Sequence, residues 1–184
     1  MLLRCSSQCC VMQIGVIFDF DGVVIDSSAA HETSWERLAV EEQRDLPEGH
    51  FKKGFGRKNA YIIPEILGWT DDGGCRETTR LGRRKEALYR EVLKETGLVA
   101  MAGVESLLKE LKSAGIPCAI GSSTERENIE TALGLTGLTD YFTVIVSADD
   151  VSKGKPDPEV FLKAAQRIER EPTACVVFED AHVG

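Results

Sequence analysis

Acids at the end of an apolar run are the first residues in this chain that could do chemistry. The segment IGVIFDFDGVVIDS places Asp19 and Asp21 directly after residues 14–18, with Gly22 next and a third acid at Asp26. Side chains two apart on an extended chain point the same way, so both carboxylates face one site while Phe20 faces away. Gly22 then permits a sharp exit. Two carboxylates at the carboxyl end of a parallel strand lie where open α/β sheets place their ligands. Solvated acids at a strand end would explain a lone D-x-D, and a calcium loop is a second alternative. Against the calcium loop, Val23 and Val24 fall where oxygen ligands would be needed. An ordinary strand end does not explain two acids, a glycine and a third acid together.

These acids need a frame, and the apolar patterning supplies one. Residues 14–18, 116–120, 143–146 and 175–178 form four short β-branched runs, each nearly continuously apolar. That pattern predicts strands buried on both faces of a parallel sheet. Helical patterns separate them. Val104, Leu107, Leu108 and Leu111 recur at helical spacing and predict a core-facing stripe that ends at Gly115. Residues 125–133 read as a helix between the second and third runs. Asp157 is placed to cap, and Pro158 to open, a helix that buries Phe161, Ala164, Ala165 and Ile168. Strands alternating with helices predict an α/β sheet with right-handed crossovers.

Residues 28–100 break the alternation. They carry no strand signal and two long helical patterns, at 29–42 and 78–95. Trp35, Leu38 and Ala39 mark one apolar stripe; Leu81, Leu88 and Val92 mark the other. The interval is far longer than a crossover needs, which predicts a small helical domain inserted after the first strand. Hinges are expected near residues 22–27 and 97–103.

Composition sets the outer limits. In 184 residues, 22 Lys and Arg oppose 30 Asp and Glu, a net charge of −8, and 42% of residues are hydrophobic. This fits one ordinary domain, or a core with a modest insertion. An acidic balance argues against a general nucleic-acid binder. No apolar stretch approaches the roughly 20 residues that span a bilayer. Among the six cysteines, Cys118 and Cys175 lie in apolar runs, Cys75 lies in a polar segment, and Cys5, Cys9 and Cys10 lack paired zinc spacing. All six read as reduced thiols in a reducing compartment, so the expected location is cytoplasmic. The tail at residues 1–13 has no signal-peptide core, and it leaves organellar targeting open.

With Asp19 and Asp21 as its first signature, the chain resembles the haloacid dehalogenase superfamily, in its beta-phosphoglucomutase-like branch of phosphatases and mutases. Three further signatures appear in order. They are Ser122 in AIGSST, Lys155 in KGKPDPEVF, and the pair Glu179 and Asp180 in VVFEDAHVG. The resemblance implies a Rossmann-like parallel sheet with an inserted α-helical cap domain. On it, residues 14–27 and 101–184 form the core, 28–100 the cap and 1–13 a tail. It further implies strand order 4-1-2-3 and a helix, a strand and a helix beyond the fourth motif. By that standard the chain looks like a fragment, lacking the strand expected beside Val176 and Val177.

The resemblance also implies roles. Asp19 is the nucleophile that takes a phosphoryl group, and Asp21 the general acid and then base. Magnesium (Mg2+) is the expected cofactor, held by Asp19, the Asp21 main-chain carbonyl and Asp180, with Glu179 acting through water. Lys155 places a positive charge beside Asp19, and Ser122 donates to the phosphoryl group. His31, Arg57 and Lys85 in the cap, with Ser123 and Arg126 beyond the second motif, are the expected substrate contacts.

The activity these roles imply is a phosphatase acting on a small phosphorylated metabolite, expected to be a sugar phosphate. A sugar phosphomutase shares every core residue and is the alternative. A non-catalytic interaction module is the alternative from another class. No nucleic acid, membrane or obligate protein partner is expected.

Overall fold

The computed structural model describes residues 14–54 and 57–182. Strands β1 (Gly15–Phe18), β2 (Cys118–Gly121), β3 (Val144–Val146) and β4 (Cys175–Phe178) form one parallel sheet. Their order is β3-β2-β1-β4, which is the 4-1-2-3 order expected. The helices are α1 (Ser28–Glu42), α2 (His50–Gly54), α3 (Asn59–Tyr61), α4 (Arg76–Thr96), α5 (Val104–Ser113), α6 (Arg126–Thr136) and α7 (Glu159–Arg167).

Alternation along β1 assigns its residues to two packed layers. Val16 and Phe18 join Ile120 against Leu108 of α5 and Ile129, Ala132 and Leu133 of α6. Ile17 faces the other way and packs with Ala119 and Val146 against Val160, Ala164 and Ala165 of α7. The strands are therefore covered on both faces, as near-continuous apolar runs require. Strand β4 is the exception. Val176, Val177 and Phe178 stay exposed, because β4 pairs with β1 on one side only and forms the edge of the sheet.

Smaller departures from the sequence reading have local causes. Leu107, expected inside the α5 stripe, is 36% exposed, while Val104 and Leu108 carry the buried face. Helix α7 starts one residue later than expected, with Pro158 at the cap position. The Asp157 carboxylate still accepts the Glu159 N–H at 3.1 Å, so it serves the same free donors from one step further out.

Among the described residues between 28 and 99 the regular elements are all helices, with a separate apolar cluster of Trp35, Leu38, Ala39, Ile62, Ile63, Leu67, Trp69, Leu81 and Leu88. Helix α4 serves both clusters. Leu81 and Leu88 enter this one, whereas Tyr89, Val92 and Leu93 enter the cluster beside the sheet. Cys75, Cys118 and Cys175 are free thiols, and burial raises Cys118 to about 11. Cys5, Cys9 and Cys10, with the rest of the 1–13 tail, lie outside the described residues. Among the described residues no helix is long and apolar enough to cross a membrane.

Candidate active site

Strand register builds the site. Phe18 of β1 lies opposite Phe178 of β4, and the two rings stack at 5.1 Å. The next residues, Asp19 and Glu179, are therefore neighbours at the carboxyl edge, where the Asp19 N–H donates to the Phe178 carbonyl at 2.9 Å. Lys155 reaches in from the loop before α7. Its Nζ lies 2.9 Å from Asp19 Oδ1 and 2.5 Å from Glu179 Oε2. Carboxylate oxygens of Asp19, Glu179 and Asp180 all fall within 4.8 Å of one another. Three hard oxygen donors around one point suit a small divalent cation.

Asp21 is turned to other partners. Its Oδ1 accepts from the Ser27 hydroxyl at 2.5 Å, and its Oδ2 accepts from the Thr124 hydroxyl. Asp21 thus adds no side-chain oxygen to the acid cluster; a main-chain oxygen is what the resemblance assigns to it. Phe20 between the two acids is fully buried, as period-two geometry requires. Gly22 adopts φ +84° and lies so close to Asp180 that any Cβ there would overlap the carboxylate. The glycine is needed twice, for its backbone and for its missing side chain. Ser122 is buried just past β2, its N–H on the Val146 carbonyl at 3.0 Å and its hydroxyl oxygen accepting from the Thr124 N–H at 3.2 Å.

His31 stands over this edge. Its Nε2 lies 3.9 Å from Asp21 Oδ1, and its ring stacks on Tyr89 at 4.1 Å. Burial, then the charge of Lys85, push His31 down to about 4 against the opposing pull of Asp21 and Glu86. Its imidazole is therefore neutral near pH 7.

Packing gives two of the expected substrate contacts partners within the fold. Lys85 is 3% exposed, with Nζ 2.7 Å from His31 Nδ1 and 3.0 Å from Glu86 Oε1. It also lies over the Trp35 and Tyr89 rings, and its contact with His31 links it to the site. Arg126 is drawn to the Asp150 carboxylate at 2.8 Å and the Ile145 carbonyl at 2.9 Å, which ties its guanidinium to the end of β3. Arg57 is exposed with its guanidinium over the Tyr61 ring, and Ser123 is exposed beside buried Ser122. Sequence reasoning missed Thr124 and Ser27. Each is a single hydroxyl in a loop, and only the fold shows that both bind Asp21.

Burial raises Asp19 to about 6 from an ordinary 3.8, with Lys155 opposing the rise. A carboxyl whose folded value exceeds its unfolded one stabilises the fold while protonated. That stability is complete below about pH 4 and is lost as pH climbs through 6. In metal-free solution, Asp19→Asn should therefore gain stability on the wild type between pH 4 and 7, by up to about 3 kcal/mol. Urea melts with chelator at pH 4 and pH 7 check this; a gap that does not widen with pH contradicts it.

Known proteins resemble this chain over most of its length. The family model of haloacid dehalogenase-like hydrolases matches residues 16–184. A chloroplastic 5-amino-6-(5-phospho-D-ribitylamino)uracil phosphatase of Arabidopsis thaliana is 34% identical over 172 residues, covering 92% of this chain. The match spans only 45% of that relative's own length. A fructose-1-phosphate phosphatase of Escherichia coli is 31% identical over 174 residues, covering 92% of this chain and 88% of the relative. Among solved structures, a beta-phosphoglucomutase from Clostridium difficile superposes with TM-score 0.77 at 28% identity, covering 92% of this chain and 77% of the other.

Proposed function

The chain belongs to the haloacid dehalogenase-like hydrolase family, and from that premise we propose that it is a magnesium-dependent phosphatase of a small phosphorylated metabolite, a sugar phosphate foremost. One observation carries the reading. A buried carboxylate, Asp19, faces a fixed ammonium, Lys155, at the carboxyl edge of the sheet, with a second carboxylate two residues on. Asp19 attacks phosphorus and the ester oxygen leaves, giving an aspartyl-phosphate; water then attacks that phosphorus and releases phosphate. Lys155 holds Asp19 in place and offers positive charge to the phosphoryl oxygens, and Ser122 can donate to one of them. Asp21, held by Ser27 and Thr124, protonates the leaving alkoxide and then takes the proton of the attacking water.

Asp19, Glu179 and Asp180 are the side chains that would hold magnesium, whose charge, when it is bound, offsets repulsion between these acids and a phosphate dianion. Gly22→Ala tests the Asp180 contact without removing a ligand. A methyl group there displaces the Asp180 carboxylate, so magnesium affinity should fall about tenfold or more, or roughly 1.4 kcal/mol. Calorimetric titration reads the change; unaltered affinity would free Asp180 from the cation.

On the same reading residues 28–100 act as a cap over the 14–27 and 101–184 core, with hinges near 22–27 and 97–103, and the site of action is cytoplasmic. The cap selects the leaving group, and exposed Arg57 is a cap cation available to a second phosphate. Likeness to a mutase structure keeps phosphomutase as the second reading. Phosphate release from a panel of sugar phosphates, with magnesium or with chelator, tests the first. Conversion of a hexose 1-phosphate to its 6-phosphate with little phosphate release would favour the second.

A further inference from the structure

Adjacent residues on a helix point about 100° apart, so two neighbouring charged side chains are rarely both buried. Lys85 and Glu86 of α4 are both buried, at 3% and 6% exposure. Glu86 belongs to no motif, and the site chemistry described above does not use it. Its carboxylate is nevertheless bound from three elements. Oε1 accepts from Asn59 of α3 at 2.7 Å and from Lys85 Nζ at 3.0 Å, and Oε2 accepts from Asn128 of α6 at 2.6 Å.

Asn128 is itself fixed. It is 1% exposed, and its Oδ1 accepts from Arg90 at 2.7 Å, which leaves its amide nitrogen directed at Glu86. Burial opposes ionisation of Glu86, yet the charge of Lys85 and the Asn59 bond act against it, and its carboxyl lies below the usual range. The chain of contacts then runs one way. An ammonium can only donate, so His31 Nδ1 must accept from Lys85. A neutral imidazole so bound carries its proton on Nε2, the nitrogen that faces Asp21.

We infer that Glu86 is the positioning residue of this site: its carboxylate, gripped by Asn59 and Asn128, fixes the Lys85 ammonium on His31 and so turns the imidazole N–H toward Asp21. Its kinetic consequence rests on the proposed role of Asp21 in proton transfer. The placement also joins the two sides of the site. The segment that carries Thr124 onto Asp21 continues into α6, whose Asn128 holds Glu86, so one element sets both ends of the chain.

Glu86→Gln keeps the shape and removes the charge. Nitrogen-15 NMR of the imidazoles reads the result directly, because the chain has three histidines and His31→Gln identifies the signal. The wild type should show a single Nε2–H tautomer for His31, and Glu86→Gln should convert it to a mixture or to the Nδ1–H form. Turnover of an alkyl phosphate should fall tenfold or more with KM within threefold, while nitrophenyl phosphate should lose less than threefold. If Glu86→Gln fails to fold, Asn128→Ala, which keeps the charge and loosens the grip, should show the same shifts at smaller size.

Identical His31 signals in the wild type and the folded variant overturn the inference. Equal losses on both esters also overturn it, since they mark a merely structural role. A wild type that hydrolyses neither ester refutes the proposed function instead, and the NMR comparison still decides the placement of Glu86.

Discussion

Asp19→Asn should lower phosphate release by a factor on the order of 10³–10⁵, the largest effect of any single change in the site. Two properties of Asp19 lead to this. Among the described acids it alone is both buried and in contact with Lys155, at the end of the interior strand β1. An amide of the same shape cannot form the acyl phosphate, so the chemical step is lost while the geometry is kept. Magnesium should still bind, more weakly, because Glu179 and Asp180 remain. Calorimetry alongside the assay separates the two effects. A variant that retains a tenth of wild-type turnover would remove Asp19 from the nucleophile's role.

Asp21→Asn should produce the second largest loss, and an uneven one. General acid catalysis contributes about 10²–10⁴ where the leaving group needs a proton. A sugar alkoxide needs one; nitrophenolate does not. Turnover of an alkyl phosphate should therefore fall at least a hundredfold, with nitrophenyl phosphate losing tenfold or less. Ser27 and Thr124 hold the carboxylate on both oxygens, and an asparagine keeps one acceptor for them, so position alone does not account for the loss. Equal losses on the two esters would mean that Asp21 places substrate rather than moves a proton.

How far the sequence shows this site depends on where the information sits. Asp19, Asp21 and Gly22 were legible because an apolar run, period-two alternation and a turn residue all act within a few positions. The strands were legible for the same reason, as were Ala164, Ala165 and Ile168 of the α7 stripe, whereas Val160 and not Phe161 is the fully buried residue of its first turn. The burial of Lys85 was not legible. In RRKEALY it lies in a charge-rich stretch that reads as a solvated face, and tertiary packing against His31 and Trp35 of α1 encloses it. The partners that hold Arg126 were not legible either, since Asp150 and Ile145 come from a strand and loop about twenty residues later. Thr124 and Ser27 are ordinary loop hydroxyls until tertiary structure carries them to Asp21. The run of Val and Phe in β4 reads by itself as a buried strand; its exposed edge was expected only from the strand order that the resemblance implies, because burial depends on which strands and helices lie alongside.

The central claim is that a phosphoryl group passes through Asp19. Rapid acid quench of a single turnover, followed by peptide mass spectrometry, tests it most directly. With a sugar phosphate that the enzyme hydrolyses, the peptide containing Asp19 should gain one phosphoryl group at early times and lose it as free phosphate appears. The same peptide from Asp19→Asn should gain none. Phosphate released at the wild-type rate with the label on another residue, or on none at any time, would contradict the account.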